Sequence, residues 1–401
     1  MDSVRLRMVA DVPLGAFLSG GIDSSLVVAL MQAQSARPIR TFSIGFHEKA
    51  FDEAPHAKAI AQSLGTAHTE LYVTDAEARE VIPTLPVLFD EPFADPSQIP
   101  THLVSALARR SVTVALSGDG GDELFCGYDR YQLLRRTWGR TRWLPRAFRT
   151  PLSAALRGVP EHAWDRILRT TAAVLPRAVP KWAQGHHVHS LAEYLRIRDA
   201  LPFYRRIVST TSEPLHLLRT ASEASLPLDD EAPAFTWADP AEFAMQCDLT
   251  TYLPDDVLVK VDRASMSVGL EARNPFLDHR VVEFAWRTPF SQKLNAGRGK
   301  WILRQILYRH VPQRLIDRPK MGFGVPIGEW LRGPLRDWAE DLLDPHALHD
   351  EGYFMTAELR RCWESHVAGT RNAEYLLWSI LMFQAWLRAE ASLQSRAASA
   401  A

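Results

Sequence analysis

The chain has 401 residues, of which 46% are hydrophobic and 23% charged, and its formal net charge is −1. This length predicts two domains, and the composition is typical of a soluble globular protein. The balanced charge argues against a basic surface that recruits nucleic acid. The N-terminus lacks a signal-peptide pattern and no apolar run reaches membrane-spanning length, so we expect a cytoplasmic protein with no membrane partner.

The first third of the chain alternates strand and helix patterns. Strands are predicted at 15–20, 39–46, 69–73 and 112–118, and helices at about 23–34, 52–64, 75–85 and 97–110, with another after Asp122. This alternation predicts an α/β fold in which helices flank a parallel sheet, over residues 1–137. Ligands of such sheets bind beyond the carboxyl ends of the strands.

The remaining two thirds of the chain lack this alternation of strand and helix patterns. Residues 138–239 are rich in arginine and proline and are expected to form a variable helical and loop insertion. Residues 240–390 are mainly helical, and 391–401 are small and polar, which predicts a disordered tail. The three cysteines, Cys126, Cys247 and Cys362, lie far apart, which is typical of buried thiols in a reducing compartment.

Two loops that follow predicted strands share the same sequence pattern. "LSGGIDSS" (18–25) and "LSGDGGDELFCGYDRY" (116–131) each end a strand in Ser-Gly and place an aspartate, Asp23 or Asp122, near a helix start. The first loop lacks the lysine of a GxxxxGK[ST] phosphate loop, and it is not a GxGxxG fingerprint. The backbone N–H groups of both loops suit phosphates, and the two aspartates suit a Mg²⁺ ion. The alternative role for each aspartate is a helix N-cap, although the position of both carboxylates after glycine-rich strand ends favours the functional role.

Five motifs together carry a resemblance to a known family. "SGGIDSS" resembles the pyrophosphate loop of N-type ATP pyrophosphatases. With "LSGDGGDELFCGYDRY", "VDRASMSVGLEARNPFLDHRVVEFAW", "GKWILRQILY" and "RPKMGFGVPIGEWL", the chain resembles the synthetase domain of glutamine-hydrolysing asparagine synthetase from about residue 4 to about 390, with a weaker match near 140–235. This resemblance implies an adenine nucleotide α-hydrolase-like sheet followed by a mainly helical C-terminal part.

The resemblance also implies a reaction. In the family, the side-chain carboxylate of aspartate attacks the α-phosphorus of ATP, and ammonia then displaces AMP from β-aspartyl-AMP. The implied pyrophosphate cradle comprises Ser19, Gly20, Gly21, Asp23, Ser24 and Ser25. The implied adenine and ribose contacts are Leu18, Ile44, Ser117 and Gly118. Asp23 and Asp122 would hold Mg²⁺.

Two lysines and one acid receive catalytic roles from the resemblance. Lys320 would stabilise charge on the α-phosphate, and Lys300 would contact the departing pyrophosphate, because attack of one anion on another needs cations at both places. Asp119 stands where family members have a glutamate that handles a proton from ammonia, and it is one methylene shorter. It could instead simply fix its loop.

Other positions depart from the family pattern or stay open. Asn274 stands where a small apolar residue is usual, and Cys126 where glycine is usual. Glu271 and Arg273 could bind the α-amino and α-carboxylate groups of the substrate, or could form a structural ion pair.

The family's glutaminase domain has no counterpart in this sequence. That domain uses an N-terminal cysteine nucleophile, and no cysteine precedes Cys126. We therefore expect no glutamine hydrolysis, with ammonia taken from solution or from a separate glutaminase chain or domain. A homodimer stays an open possibility.

Three alternatives compete with an asparagine synthase. The chain could be a β-lactam-synthetase-like or peptide-cyclising ligase that adenylates another carboxylic acid, since those enzymes share the same ATP-binding parts. It could be an RNA-modifying protein with a pyrophosphatase loop, although its balanced charge and scattered cysteines argue against this. It could also be a catalytically silent partner chain.

Overall fold

The structure is a computed structural model that describes residues 1–47, 52–141, 145–174, 185–197, 199–211, 214–222, 239–318 and 324–400. The chain forms two compact units. The first comprises the described parts of Met1–Gly127, Glu213–Ala232 and Cys247–Ala401, and the second those of Tyr128–Ser212 and Pro233–Gln246. The second unit begins at Tyr128 rather than at 138, because one helix, Asp129–Thr141, runs across that position.

The first unit is built on a parallel sheet, as the sequence predicted. Its strands in the described residues are β1 (Leu14–Phe17), β2 (Arg40–Phe46), β3 (Ala67–Val73), β4 (Val114–Leu116) and β5 (Glu271–Arg273). They lie in the order β3-β2-β1-β4-β5, and every neighbouring pair is parallel. The four predicted strands are confirmed. The edge strand β5 was not predicted, because three residues are too short for a strand pattern.

Helices cover both faces of this sheet. Those in the first 127 residues are α1 (Asp2–Arg7), α2 (Ile22–Gln32), α3 (Ala54–Leu64), α4 (Asp75–Glu80), α5 (Leu85–Leu88), α6 (Gln98–Arg109) and α7 (Gly121–Leu124), with a 3₁₀ turn at Ile82–Thr84. Side chains of β4 alternate between two apolar clusters, since Ala115 joins one cluster and its neighbours Val114 and Leu116 join the other. Both faces are therefore buried, as expected of a parallel sheet.

The second unit contains helices and no strand among its described residues. They are α8 (Asp129–Thr141), α9 (Arg146–Arg157), α10 (Glu161–Val174), α11 (Gly185–Arg196) and α12 (Ala200–Val208). Helix α13 (Pro240–Thr250) leads from this unit back to the first.

The C-terminal part is helical, as predicted. Its helices are α14 (Val259–Met266), α15 (His279–Arg287), α16 (Phe290–Lys293), α17 (Trp301–Leu307), α18 (Gln313–Ile316), α19 (Ile327–Arg332), α20 (Arg336–Leu342), α21 (Pro345–Glu351), α22 (Thr356–Val367) and α23 (Glu374–Ala400). A π-helix at Leu253–Leu258 runs into α14, and 3₁₀ turns lie at Pro214–Leu217 and Pro275–Leu277. Trp330, Trp363 and Trp378 are fully buried in one of the two apolar clusters.

The sequence predicted a disordered tail at residues 391–401, and this prediction was wrong for residues 391–400. Helix α23 continues to Ala400, so residues 391–400 are helical, and residue 401 lies outside the described part. The segment is rich in alanine, with Leu, Gln and Arg, which are strong helix formers that extend a helix already anchored by buried Leu377 and Leu381. No helix of the described residues is long and apolar enough to cross a membrane.

Candidate active site

The two glycine loops lie side by side at the carboxyl edge of the sheet. Strands β1 and β4 are neighbours, with Ala16 paired to Leu116, so the segments that follow them start together. The loops touch: a Cβ atom added at Gly118 would lie 2.7 Å from the Ser24 nitrogen, and one at Gly121 would lie 2.5 Å from Asp23 Cγ. Both positions therefore require glycine, because this close approach leaves no room for a side chain.

The first loop presents the start of helix α2. Gly21 is the N-cap of α2 and has no side chain to cap its first N–H groups. The hydroxyls of Ser19 and Ser24 lie 3.0 Å apart, and the Gly21 N–H donates to Ser19 Oγ at 3.3 Å. Ser25 is fully buried within α2. The loop thus gathers hydroxyls and backbone donors at a helix N-terminus, an arrangement that suits an anion.

Lys300 joins the two loops through their aspartates. Its Nζ lies 2.7 Å from Asp122 Oδ1 and forms a second, close ion pair with Asp23 Oδ2. Lys300 is only 5% exposed, and its backbone N–H donates to the Phe125 carbonyl at 2.8 Å. Burial lowers the pKa of Lys300, but the two carboxylates outweigh burial and hold its pKa above the ordinary lysine value. The ammonium is therefore charged.

The donor set around Lys300 also fits a divalent cation. Asp23 and Asp122 both contact one ammonium, so their oxygens converge on one point, and carboxylate oxygens are the ligands that Mg²⁺ prefers. No cluster of three or more His, Cys, Asp or Glu side chains suited to a metal occurs among the described residues. A Mg²⁺ ion here would take its remaining ligands from phosphates and water.

The two departures from the family pattern have different local consequences. Cys126 has φ +58°, a left-handed conformation that glycine adopts without strain, which explains why glycine is usual there. Its carbonyl packs against the segment before Lys300, since a Cβ atom at Gly299 would lie 2.1 Å from it. At Asn274, the Oδ1 atom is buried and has no hydrogen-bond partner in the part of the chain that the structure describes.

Asp119 lies on the second loop, directly after strand β4. The Ser117 hydroxyl donates to Asp119 Oδ2 at 2.6 Å. Burial raises the pKa of Asp119 above the ordinary aspartate value, while the Ser117 hydrogen bond and the positive charge of Lys260 partly oppose that rise. Its carboxylate is consequently a stronger proton acceptor than an exposed aspartate.

Leu18 and Ile44, which were predicted to contact the adenine, are both buried, with exposed fractions of 1% and 3%. The last pair between β1 and β2 joins Phe17 to Phe42. Leu18 therefore lies one residue beyond that pair on the β1 side, and Ile44 lies two residues beyond it on β2. Their side chains enter different apolar clusters, on opposite faces of the sheet. Any contact that both make with one ligand therefore comes from the backbone, and their role stays a prediction.

Glu271 and Arg273 form an ion pair at 2.6 Å between Oε1 and Nε. Arg273 Nη1 also donates to the carbonyls of Arg7 and Val9, at 2.9 and 2.7 Å. The guanidinium therefore ties β5 to the N-terminal segment, which is the structural alternative for this pair.

Sequence reasoning missed a second ion pair at the same edge of the sheet. Lys260 Nζ lies 2.6 Å from Asp95 Oδ2, and Asp256 Oδ1 lies 4.0 Å from the same ammonium. Asp95 precedes helix α6, which runs back to β4, so Asp95 belongs to the carboxyl edge. The turn "DPSQ" before a predicted helix was the available signal, since Asp and Ser commonly start helices.

Arg318 was also missed, although it opens the "RPKMGFG" motif. Its Nη2 donates to the Gly20 carbonyl at 3.4 Å and to Glu53 Oε1 at 3.2 Å. Its Nε and Nη1 atoms are buried and have no hydrogen-bond partner in the described ranges. Lys320, two residues later, lies outside the described residues, so its predicted role is untested.

Comparison with known proteins agrees with the family resemblance that the sequence motifs carry. Residues 1–388 match the sequence model of the family described as asparagine synthase. The chain is 31% identical over 398 residues to asparagine synthetase [glutamine-hydrolyzing] 1 of Bacillus subtilis, covering 96% of this chain and 57% of that protein. It is 33% identical over 390 residues to a putative asparagine synthetase [glutamine-hydrolyzing] of Mycobacterium tuberculosis, covering 96% and 56%. The chain thus spans about half the length of these relatives.

Proposed function

This chain belongs to the asparagine synthase family, and from that premise we propose that it is an ATP-dependent amide ligase that converts aspartate to asparagine. The observation that carries the proposal is the meeting of Lys300, Asp23 and Asp122 at the junction of the two glycine loops. A charged lysine beside the backbone donors of a helix N-terminus suits the anionic pyrophosphate part of ATP, and the two carboxylates suit the Mg²⁺ that would accompany it.

In the proposed ATP complex, the first loop binds the β- and γ-phosphates. The backbone N–H groups at the start of α2 donate to phosphate oxygens, together with the Ser19 and Ser24 hydroxyls. Mg²⁺, held by Asp23 and Asp122 when it is bound with ATP, neutralises phosphate charge. Lys300 then donates to the pyrophosphate oxygens in place of the two carboxylates that it contacts here. Ser117, Gly118 and the backbone of Leu18 and Ile44 contact the nucleoside.

The first chemical step forms an acyl adenylate. A side-chain carboxylate oxygen of aspartate forms a bond to the α-phosphorus while the bond from that phosphorus to the bridging oxygen breaks, and pyrophosphate leaves with the electron pair. Negative charge accumulates on the α-phosphate and on the leaving group. Lys320 at the first position and Lys300 at the second supply the cations that lower this barrier.

The second step forms the amide. Ammonia forms a bond to the carbonyl carbon of the adenylate, AMP leaves, and the new amide nitrogen loses a proton. Asp119 accepts that proton in our proposal, a role that its raised pKa supports. Ammonia is the proposed nitrogen donor of this chain, whereas the names of its relatives describe those proteins as glutamine-hydrolysing.

The test is aspartate-dependent exchange of labelled pyrophosphate into ATP, followed by AMP and asparagine formation with ammonium or with glutamine. We expect exchange with aspartate alone, and asparagine with ammonium but not with glutamine. Lys300→Ala and Lys320→Ala should abolish exchange, while Lys58→Met, on an exposed lysine of α3, should not.

The outcomes separate the alternatives. Exchange with another carboxylic acid but not with aspartate would identify an adenylating ligase of different specificity. No exchange with any acid, from a protein that still binds ATP, would overturn the proposal and favour a silent partner chain.

A further inference from the structure

The Lys260 group carries an inference beyond the ATP site. It comprises Lys260, Asp95 and Asp256, whose side chains are 13%, 17% and 30% exposed. Charged side chains that are partly withdrawn from water are costly unless they are well paired, so the arrangement of Lys260 and Asp95, with Asp256 beside them, requires an explanation.

Asp95 is fully engaged by the protein. Its Oδ1 accepts from the Ser97 N–H at 2.9 Å, and its Oδ2 accepts from the Ser97 hydroxyl at 2.8 Å and from Lys260 Nζ at 2.6 Å. Asp95 is thus fixed at the start of α6 and in turn fixes Lys260, which makes it a positioning residue.

Lys260 has donors to spare. An ammonium carries three N–H donors, and one of them reaches Asp95. Asp256 Oδ1, at 4.0 Å, is beyond hydrogen-bond distance although its charge still acts on the ammonium. Within the described ranges, two donors of Lys260 make no hydrogen bond to the protein.

The position of Lys260 points towards the proposed chemistry. Asp95 and Asp119 both lie at the carboxyl edge of the sheet, and the charge of Lys260 acts on Asp119, where it partly opposes the rise in pKa that burial causes. Lys260 also follows the π-helix Leu253–Leu258, which contains Asp256, and π-helical turns occur frequently at functional sites.

We propose that Lys260 and Asp256 bind the zwitterionic head group of an α-amino acid substrate, with Lys260 on the α-carboxylate and Asp256 on the α-ammonium. A cation and an anion 4.0 Å apart match two opposite charges carried on one carbon. The inference rests on the proposed function, because it leaves the substrate's side-chain carboxylate as the group to be adenylated. It makes the site selective for an amino acid over a simple acid.

The experiment compares three acids in the pyrophosphate exchange assay. They are L-aspartate, β-alanine, which lacks the α-carboxylate, and succinate, which lacks the ammonium. The variants are Lys260→Met, which keeps the length and removes the charge, Lys260→Arg, which keeps the charge, and Asp256→Asn. Lys58→Met is the surface control.

We expect Lys260→Met to raise the KM for aspartate about 10- to 100-fold, the range of one or two charged hydrogen bonds, with the KM for ATP unchanged. The same variant should change kcat/KM for β-alanine less than threefold, and Lys260→Arg should recover part of the loss. Asp256→Asn should reduce the preference for aspartate over succinate. An unchanged KM for ATP shows that a variant is folded.

Equal losses with aspartate and β-alanine, or an unchanged KM for aspartate, would overturn the role of Lys260. Failure of the proposed function is a different result, since wild-type protein would then show no exchange with aspartate. If wild-type protein instead exchanges with another amino acid, the comparison is repeated with that acid and its decarboxylated analogue, and the same two outcomes decide the role of Lys260.

Discussion

Lys300 Nζ lies 2.7 Å from Asp122 Oδ1, and the same ammonium contacts Asp23, so one buried charge connects loops that are about 100 residues apart in sequence. Without a cation, the two carboxylates would repel each other in a partly buried place. In the proposed ATP complex, Lys300 serves as the lysine that a phosphate loop carries next to its glycines, although it comes from the start of α17. Lys300 thereby neutralises one of the two carboxylate charges where the loops meet.

Replacing Lys300 with methionine should damage both stability and catalysis. Because the substitution leaves two carboxylates facing each other, we expect the free energy of unfolding to fall by about 3 kcal/mol, as when one partner of a buried ion pair is removed. Exchange of pyrophosphate into ATP should fall at least about 100-fold, the usual effect of losing one preorganised donor. Denaturant unfolding and the exchange assay measure the two effects.

A double variant is the matched control for stability. Lys300→Met combined with Asp23→Asn removes the repulsion, so it should unfold at a higher denaturant concentration than Lys300→Met alone. A single variant as stable as the parent would show that the ion pairs with Asp23 and Asp122 contribute nothing to the fold.

The parts of the site that were predictable lie on single strands and loops. Strand β1 with its loop and strand β4 with its loop were evident, because an apolar run that ends in Ser-Gly before an aspartate is a local pattern. The pairing of Lys300 with Asp23 and Asp122 was not, since it depends on how α17 packs on those loops. Lys260 and Asp95 are likewise far apart in sequence, and the hydrophobic periodicity of a sequence carries no information about such long-range contacts.

Asp119→Asn should separate the two chemical steps. Exchange of pyrophosphate precedes any proton transfer from ammonia and should persist, whereas asparagine formation should fall about 100-fold for the loss of a general base. Asparagine and exchange rates from one protein preparation give the comparison. Equal losses in both would support the alternative in which Asp119 merely fixes its loop.

The same substitution has a pH signature in stability. Burial raises the pKa of Asp119, so the folded state favours the protonated acid, and ionisation costs stability as the pH rises above the unfolded-state value of about 4. Asparagine never ionises, and it therefore avoids this cost. We expect Asp119→Asn to raise the melting temperature at pH 7 and to lose that advantage below about pH 4. A difference that does not change with pH would contradict the raised pKa.

Replacing Cys126 with glycine should leave the protein more stable than replacing it with alanine. At φ +58°, alanine keeps the strained Cβ and loses the sulfur, whereas glycine removes the strain. We expect Cys126→Gly to be more stable than Cys126→Ala by about 1 kcal/mol in denaturant unfolding. Cys247 is the control, because it is buried in helix α13, where the order should reverse by about the same amount. The same order at both positions would contradict the left-handed conformation of Cys126.

Arg318 should contribute to ATP binding through donors that the protein leaves unused. Its Nη2 reaches Gly20 and Glu53, while Nε and Nη1 are buried without partners in the described ranges, and a phosphate group bound at the first loop would supply acceptors for them. Lysine keeps the charge but not the planar fork, so Arg318→Lys should raise the KM for ATP about tenfold with the KM for aspartate unchanged. Arg298→Lys, at a half-exposed ion pair with Asp317, should change neither. An unchanged KM for ATP in Arg318→Lys would restrict Arg318 to holding Gly20 against Glu53.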